Sequence, residues 1–144
     1  CADKSVKRVI ICSGKIYYDL FQERAKRKIK NIFILRLEQL YPFPREALLE
    51  ELARFPEAEV VWCQEEPENM GAWSFVDRRL EEVLLELDGF SARAQYIGRP
   101  EAASPATGSL GTHNAEQTLV LNQAMSNIKL SHKKNISRGR QAAE

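Results

Sequence analysis

The polar residues that could do chemistry in this chain follow one short apolar run. Val60-Val61-Trp62-Cys63 is continued by Gln64, Glu65 and Glu66 and, after a proline, by Asn69. Two adjacent carboxylates could share a proton, which would raise the pKa of one of them, or they could form salt bridges. The cluster has no histidine, nucleophile elbow or metal-ligand spacing beside it, so it indicates a binding or interface role and no catalytic residue.

The same residues also fit structural roles. Glu65 and Glu66 could be solvated, Asn69 could cap the helix that follows, and Trp62 and Trp73 could belong to the core. The position favours function, because ligands and partner surfaces meet the carboxyl ends of strands in open α/β sheets. The residues alone leave both interpretations open.

Other candidate residues for catalysis or metal binding stand apart from one another. His113 opens a predicted helix and His132 lies near the C-terminus, and neither has a second ligand type at metal spacing. Ser13-Gly14-Lys15 resembles the end of a phosphate-binding loop but lacks the upstream glycine, so Lys15 is predicted on a helix surface. Cys12 and Cys63 lie in apolar runs, where cysteine behaves as a small hydrophobe, and a reducing cytosol fits best.

Alternating strands and helices must position these residues. Apolar runs predict strands over 6–12, 32–37, 60–63 and 92–97, and helical spacing predicts helices over 15–28, 45–55, 71–87 and 112–125. The second strand is apolar almost throughout and is predicted to be central, whereas the fourth alternates and suits an edge. This order predicts a three-layer α/β domain with a mostly parallel sheet and right-handed crossovers.

Ser13 or Gly14 is predicted to cap the first helix and Thr112 the last one. A loop over 98–109, rich in proline and small residues, is long enough to be functional or to lie against another surface. No apolar run is long enough to span a bilayer, so we predict no membrane partner.

Charge divides the chain into a domain over 1–125 and a basic tail over 126–144. The whole chain holds 21 basic and 20 acidic residues, and its net charge of +1 favours no particular partner. The tail lacks apolar periodicity and is predicted to be disordered. Its cations could contact nucleic-acid phosphates, but without an aromatic residue they favour a solvated extension, so we predict no nucleic-acid partner. Beginning at Cys1, the chain is expected to be a fragment or a processed product.

Four motifs stand in order along the domain: ICSGKIYYDL at 11–20, LRLEQLYPFP at 35–44, VWCQEEPENMGAW at 61–73 and GRPEAASPATG at 98–108. Together they resemble the C-terminal domain of 2-oxoglutarate dehydrogenase, the thiamine-diphosphate-dependent decarboxylating component. The resemblance covers about residues 6–125. It implies a transketolase C-terminal-like fold at the end of a much longer, homodimeric polypeptide.

The resemblance also implies a reaction for that longer polypeptide. The family decarboxylates 2-oxoglutarate on thiamine diphosphate with magnesium, and then transfers the succinyl group to the lipoyl arm of a succinyltransferase component in the tricarboxylic acid cycle. Its cofactor-binding and catalytic residues lie in the two preceding domains. The resemblance therefore implies that this domain alone binds neither cofactor and is inactive, and that it works in the bacterial cytoplasm or the mitochondrial matrix.

A regulatory site for AMP or acetyl-CoA is implied as well. Gln39, just after the second strand, matches a position that lines this effector site in the family, and Arg45 lies in the adjoining basic stretch. An arginine and a strand-end amide suit a phosphate. Loop hydrogen bonding by Gln39 and a helix-surface position for Arg45 are the alternative. A free-standing assembly or effector-binding module, which kept the fold and lost the chemistry, is the second functional hypothesis.

Overall fold

The computed structural model describes residues 3–88, 90, 93–106 and 108–126. Four strands alternate with four helices: β1 (Arg8–Cys12), α1 (Ile16–Lys26), β2 (Ile32–Arg36), α2 (Arg45–Ala53), β3 (Glu59–Pro67), α3 (Trp73–Glu86), β4 (Gln95–Arg99) and α4 (Leu110–Met125). The predicted order of elements is confirmed, with ends displaced by a few residues. Predictions for Cys1, Ala92, Thr107, His132 and the tail beyond 126 fall outside the described residues.

The sheet is parallel throughout, in the order β2-β1-β3-β4. Ile11 of β1 is level with Leu35 of β2 on one side and with Trp62 of β3 on the other. Because parallel strands end at the same edge, the segments that follow β1, β2, β3 and β4 share that edge. The predicted α/β architecture with a parallel sheet is confirmed.

One strand has a different place from the predicted one. β2 lies at an edge of the sheet that the described residues form, so the prediction of a central position is wrong. Its apolar character comes instead from the helices on both faces. Ile32 and Ile34 belong to one buried cluster, while Phe33 and Leu35 pack against the other. A strand covered on both faces is apolar wherever it stands laterally.

Side-chain alternation divides the core into two layers. Val9 and Ile11 of β1 face the cluster that includes Leu52 of α2 and Leu80 of α3. Ile10 and Cys12 face the opposite cluster, which includes Leu20 of α1 and Val120 of α4. Helices therefore cover both faces of the sheet, as the three-layer prediction requires.

Two predicted helix caps are wrong. The N-cap of α1 is Lys15, which makes no side-chain cap, and Gly14 takes a left-handed φ of 76° in the turn before it. The side chain of Ser109 caps α4 by accepting from the Thr112 N–H at 3.2 Å. The cap lies three residues earlier than predicted, so Thr112 supplies a first-turn N–H rather than the cap. No helix in the described part of the chain is long and apolar enough to cross a membrane.

Candidate functional site

Gln64, Glu65 and Glu66 belong to the sheet, and the turn that carries Asn69 begins only at Glu68. β3 continues to Pro67, so the prediction that the strand ends at Gln64 is wrong. β4 makes this possible, because it pairs beside Cys63 and again beside Pro67, with an irregularity between the two points. Extended residues project alternately, so Gln64 and Glu66 face the α3 side and Glu65 faces the side of α1 and α4.

Gln64 is buried, with 3% of its surface exposed, and its carbonyl oxygen fastens a helix to the sheet. Its Oε1 accepts from the indole Nε1 of Trp62 at 2.9 Å and from the backbone N–H of Trp73 at 3.0 Å. Trp73 is the first residue of α3, which has no other side-chain cap at its start. Gln64 therefore satisfies one of the N–H groups that a helix leaves unpaired at its beginning.

The amide nitrogen of Gln64 shapes the turn that leads into α3. Its Nε2 donates to the carbonyl oxygens of Glu66 at 3.2 Å, Pro67 at 3.0 Å and Met70 at 2.8 Å. We call Gln64 and its partners the Gln64 cluster: Trp62, Gln64, Glu66, Pro67, Met70 and Trp73. Because the oxygen and the nitrogen of this amide are both hydrogen-bonded within the domain, the cluster has a structural role and holds α3 to the sheet.

β4 packs tightly against this cluster. The Tyr96 hydroxyl donates to the carbonyl of Arg99 at 2.7 Å, and burial raises the pKa of Tyr96 to about 12. Its ring lies against Trp73, with 5.4 Å between centroids, and Trp73 itself is half-buried. A Cβ atom at Gly98 would stand 2.7 Å from Tyr96 Cζ and 3.0 Å from the backbone carbonyl oxygen of Gln64, so the close packing favours glycine here.

Glu65 and Glu66 do not form a carboxylate pair. Their side chains leave opposite faces of β3, so they cannot share a proton. Glu65 instead forms a salt bridge with Lys15 at 3.0 Å, and this hydrogen bond, with the charge of Glu65, raises the pKa of Lys15. Gln117 of α4 also donates to Glu65, at 3.4 Å. The salt-bridge alternative is thus confirmed for Glu65.

Asn69 holds the long loop rather than a helix. Its Nδ2 donates to the Ala102 carbonyl at 2.9 Å, and its Oδ1 accepts from the Ala102 N–H at 3.1 Å. The suggested cap on α3 is therefore wrong. Arg99 fixes the same loop by donating to the Pro105 carbonyl at 3.1 Å, and it pairs with Glu116 of α4 at 2.6 Å. Two points of the loop, Ala102 and Pro105, are therefore held by the domain's own side chains.

An open pocket of about 240 Å³ lies where β2 ends and α2 begins. Gln39 stands on its wall, with an exposed side chain whose Nε2 donates to the Tyr41 carbonyl at 2.8 Å. Arg36, the last residue of β2, also lines the pocket, but its guanidinium lies toward α1, where it donates to the Tyr18 hydroxyl at 3.1 Å. The full lining is Leu35, Arg36, Leu37, Glu38, Gln39, Pro42, Pro44, Ala47, Leu48 and Glu51.

The structure does not bring Gln39 and Arg45 to one wall. Arg45 lies outside the pocket lining and forms ion pairs with Glu86 of α3 and with Glu46, the latter at 3.2 Å. Arg36 lines the pocket with Gln39, although its guanidinium is held by Tyr18 of α1, and the sequence analysis did not single it out. A signal for it was available, because an arginine at the carboxyl end of an apolar parallel strand faces the edge where ligands meet such sheets.

Metal-binding and nucleophilic chemistry find little support in the described residues. No three His, Cys, Asp or Glu side chains within them are grouped so that they could hold a metal ion. Cys12 and Cys63 are buried as free thiols, and burial raises the pKa of each to about 12. Both thiols therefore stay protonated near neutral pH and serve as core residues.

A sequence model of the 2-oxoglutarate dehydrogenase C-terminal family matches residues 1–125. The chain belongs to this family. Among curated relatives, the 2-oxoglutarate dehydrogenase E1 component of Brucella anthropi is 56% identical over 125 residues, which cover 87% of this chain. The proteins of the same name from Brucella ovis and Brucella melitensis biotype 2 are 56% identical over 123 residues. The chain spans 12% of the length of these relatives.

The motifs that carried the resemblance have distinct places in this member of the 2-oxoglutarate dehydrogenase C-terminal family. The stretch at 61–73 forms most of β3 and the Gln64 cluster, and the stretch at 35–44 forms the end of β2 and much of the pocket wall. The stretch at 98–108 includes the end of β4 and most of the loop that Asn69 holds. These three motifs therefore meet at the carboxyl edge of the sheet.

Proposed function

We propose that the chain is the C-terminal structural and regulatory domain of a longer 2-oxoglutarate dehydrogenase. The observation that carries the proposal is the 56% identity to E1 components of which the chain spans only 12%. We propose a transketolase C-terminal-like domain over 1–125, where the family match lies, followed by a basic tail over 126–144. The structural part of the role is supported by the Gln64 cluster, in which the hydrogen bonds of the Gln64 amide hold α3 to the sheet.

The catalytic steps are assigned to the rest of the polypeptide. The complete enzyme would decarboxylate 2-oxoglutarate on thiamine diphosphate with magnesium and succinylate the lipoyl group of its partner in the tricarboxylic acid cycle. Both cofactors would bind in the domains that precede this one, so the isolated chain would be inactive. Its partners would be those domains, a second copy in a homodimer and the lipoyl-bearing succinyltransferase, in the bacterial cytoplasm or the mitochondrial matrix.

Intact mass of the native polypeptide in its source cells tests this proposal first. We expect a chain several times longer than 144 residues that turns over 2-oxoglutarate when supplied with thiamine diphosphate and magnesium. A native chain of about the present length would contradict the enzymatic assignment. It would favour the second function, a free-standing assembly or effector-binding module.

The regulatory part of the proposal concerns the pocket beside Gln39. A phosphate of AMP or acetyl-CoA would contact the Gln39 amide and a guanidinium, since arginine recognises phosphate with paired N–H donors. Arg36 lines the pocket but its guanidinium would first have to leave the Tyr18 hydroxyl, and that of Arg45 would first have to leave Glu86. Glu65, Glu66 and Asn69, on the segment that Gln64 holds in place, would instead support the interface between domains.

Calorimetric titration with AMP tests whether the pocket beside Gln39 is the effector site. Ala47→Trp fills the pocket from α2, and Gln39→Ala removes the amide on its wall. We expect each change to weaken AMP binding by roughly tenfold, which corresponds to about 1.4 kcal/mol of binding free energy. Glu50→Ala, an exposed change on the same helix outside the lining, is the matched control and should leave binding unchanged. Equal affinities in all three variants would contradict an effector site at this pocket.

A further inference from the structure

A cluster of aromatic rings and arginines is exposed where α1 meets β2. Tyr18 and Phe21 of α1 have 55% and 45% of their surface exposed. We call the set the α1–β2 aromatic patch, and its members are Tyr17, Tyr18, Phe21, Arg24 and Arg36. The patch lies on the opposite side of the sheet from α2 and α3.

The patch is held in one arrangement by its own contacts. Tyr17 lies edge-on to Tyr18, at 5.5 Å between ring centroids, and stacks on Phe21 at 6.0 Å. The Arg36 guanidinium is 5.3 Å from the Tyr18 ring centre and donates to the Tyr18 hydroxyl at 3.1 Å. Arg24 covers Phe21 at 5.1 Å. Rings fixed in this way lose little side-chain entropy when a partner covers them.

Its composition is that of the centre of a protein interface. Tyrosine and arginine are enriched where truncation costs most binding energy, and grouped exposed rings mark interaction sites more reliably than single exposed apolar residues. The two arginines favour an occupant that presents backbone carbonyls or carboxylates. A folded protein surface provides both apolar area and such acceptors.

We propose that the α1–β2 aromatic patch docks the domain that precedes residues 1–125 in the same polypeptide. The proposal rests on the proposed function. The chain matches a C-terminal family and spans 12% of the length of its relatives, so most of a polypeptide of that kind lies outside it and comes before it. The preceding domain is tethered to this one, and tethering gives it a high effective concentration at the patch. A second copy and a separate partner protein are the competing occupants.

Site-specific photocross-linking in the full-length polypeptide tests the proposal directly. Tyr18→p-benzoylphenylalanine places the photoreactive group in the patch, and Leu85→p-benzoylphenylalanine is the matched control at a 66% exposed site on α3, across the sheet. After irradiation, peptide mass spectrometry identifies the attached residues. Mixing isotopically light and heavy polypeptides distinguishes links within one chain from links between copies.

We expect position 18 to cross-link to the preceding domain of the same polypeptide, and position 85 to give at most one tenth of that yield. Links from position 18 to a second copy or to a separate protein would overturn the proposal. So would irradiation that yields no link outside the 144-residue segment. If the native polypeptide is long and active and position 18 forms no such link, the docking proposal alone fails. A native polypeptide of 144 residues overturns both proposals.

A second readout follows the junction between the domains. Phe21→Glu in the full-length polypeptide should speed limited proteolysis at that junction by roughly tenfold, because cleavage follows the population of the undocked form. Leu85→Glu should change the rate by less than about twofold. Phe21 is outside both buried core clusters, so the domain itself keeps its core. Equal rates in the two variants would contradict docking at the patch.

Discussion

Two amide side chains at the carboxyl edge of the sheet, Gln64 and Gln39, are used in opposite ways. Gln64 is a residue of β3 with a buried side chain, and its amide oxygen and nitrogen are both hydrogen-bonded, to the surrounding backbone and to an indole. Gln39 stands in the loop after β2 with its side chain exposed beside an open pocket, and its nitrogen holds one carbonyl, that of Tyr41.

The difference lies in how many polar groups remain available to a ligand. A buried amide whose donors and acceptor are all satisfied gains nothing from a new partner, and removing it leaves several groups unpaired. An exposed amide beside a concave wall can exchange water for a ligand at small cost. Two glutamines at the same edge of the sheet therefore differ in role: Gln64 is structural, and Gln39 lines a candidate binding site.

The largest expected effect comes from removing the Gln64 amide. Gln64→Ala should lower the free energy of unfolding by roughly 3–5 kcal/mol, because the Trp62 indole, the Trp73 N–H and three carbonyls lose a partner in a buried place. Gln39→Ala, the matched change at the pocket, should cost less than about 0.5 kcal/mol. Urea denaturation of both variants checks the contrast. Equal losses would break the comparison.

A smaller effect is expected from steric crowding next to the Gln64 cluster. Gly98→Ala should destabilise the domain by roughly 1–3 kcal/mol, because the added Cβ would overlap the Tyr96 hydroxyl and approach the backbone carbonyl of Gln64. Gly111→Ala, in α4 with open space around it, is the control and should stabilise by about 0.5–1 kcal/mol. Thermal unfolding of the two variants measures both signs. If Gly98→Ala left the stability unchanged, β4 would have shifted to accommodate the methyl group, and the expected steric cost would be contradicted.

Alkaline pH is expected to lower the stability of the domain through the ionisation of Tyr96, which packs against the Gln64 cluster. Burial raises its pKa to about 12 in the folded chain, above the ordinary value of 10.0. The stability that this neutral phenol contributes is therefore complete below pH 10 and is lost as pH rises toward 12. Because the side chain is partly exposed, we expect a loss of roughly 1 kcal/mol.

Chemical denaturation at pH 9 and pH 11 measures this loss. Tyr96→Phe removes the titrating group and should flatten the decline relative to the parent chain. Tyr41→Phe, in the exposed loop beside the pocket, is the matched control and should keep the parental decline. Identical pH dependence in the parent chain and Tyr96→Phe would contradict the assignment.

The smallest effect is expected at Arg45. Arg45→Ala breaks its ion pairs with Glu46 and Glu86, and all three side chains are substantially exposed. Exposed pairs of this kind contribute about 0–1 kcal/mol, so we expect a loss near 0.5 kcal/mol. Arg78→Ala, an exposed arginine on α3, controls for the change in net charge. A loss above about 2 kcal/mol would assign Arg45 a structural role like that of Gln64.

The order of elements and the parallel sheet could be predicted from the sequence because local patterns carry them. Apolar runs of four to seven residues separated by helical spacing already indicate strands alternating with helices. The lateral position of β2 was predicted wrongly, since continuous apolarity reports that both faces are covered and does not report the neighbours in the sheet. The caps of α1 and α4 were also wrong, because they depend on where each helix begins.

The candidate site was predicted in part. The sequence identified Gln64, Glu65, Glu66, Asn69 and Gln39 as the polar residues near strand ends. It did not separate Glu65 from Glu66, because their opposite orientation depends on β3 continuing to Pro67. That continuation is decided by pairing with β4, whose residues lie some thirty positions away along the chain.

By itself, the sequence determined the fold class, the family and the stretches that carry its motifs, because periodicity and motif order are local properties of the chain. The tertiary structure decided what each polar residue does. In the folded chain Gln64 is buried between β3 and α3, and Glu65 pairs with Lys15. Asn69 hydrogen-bonds to the long loop, and Arg36 rather than Arg45 is among the residues that line the pocket. Hydrogen-bond saturation and burial depend on groups distant in sequence, so only the folded chain distinguishes architecture from an available site.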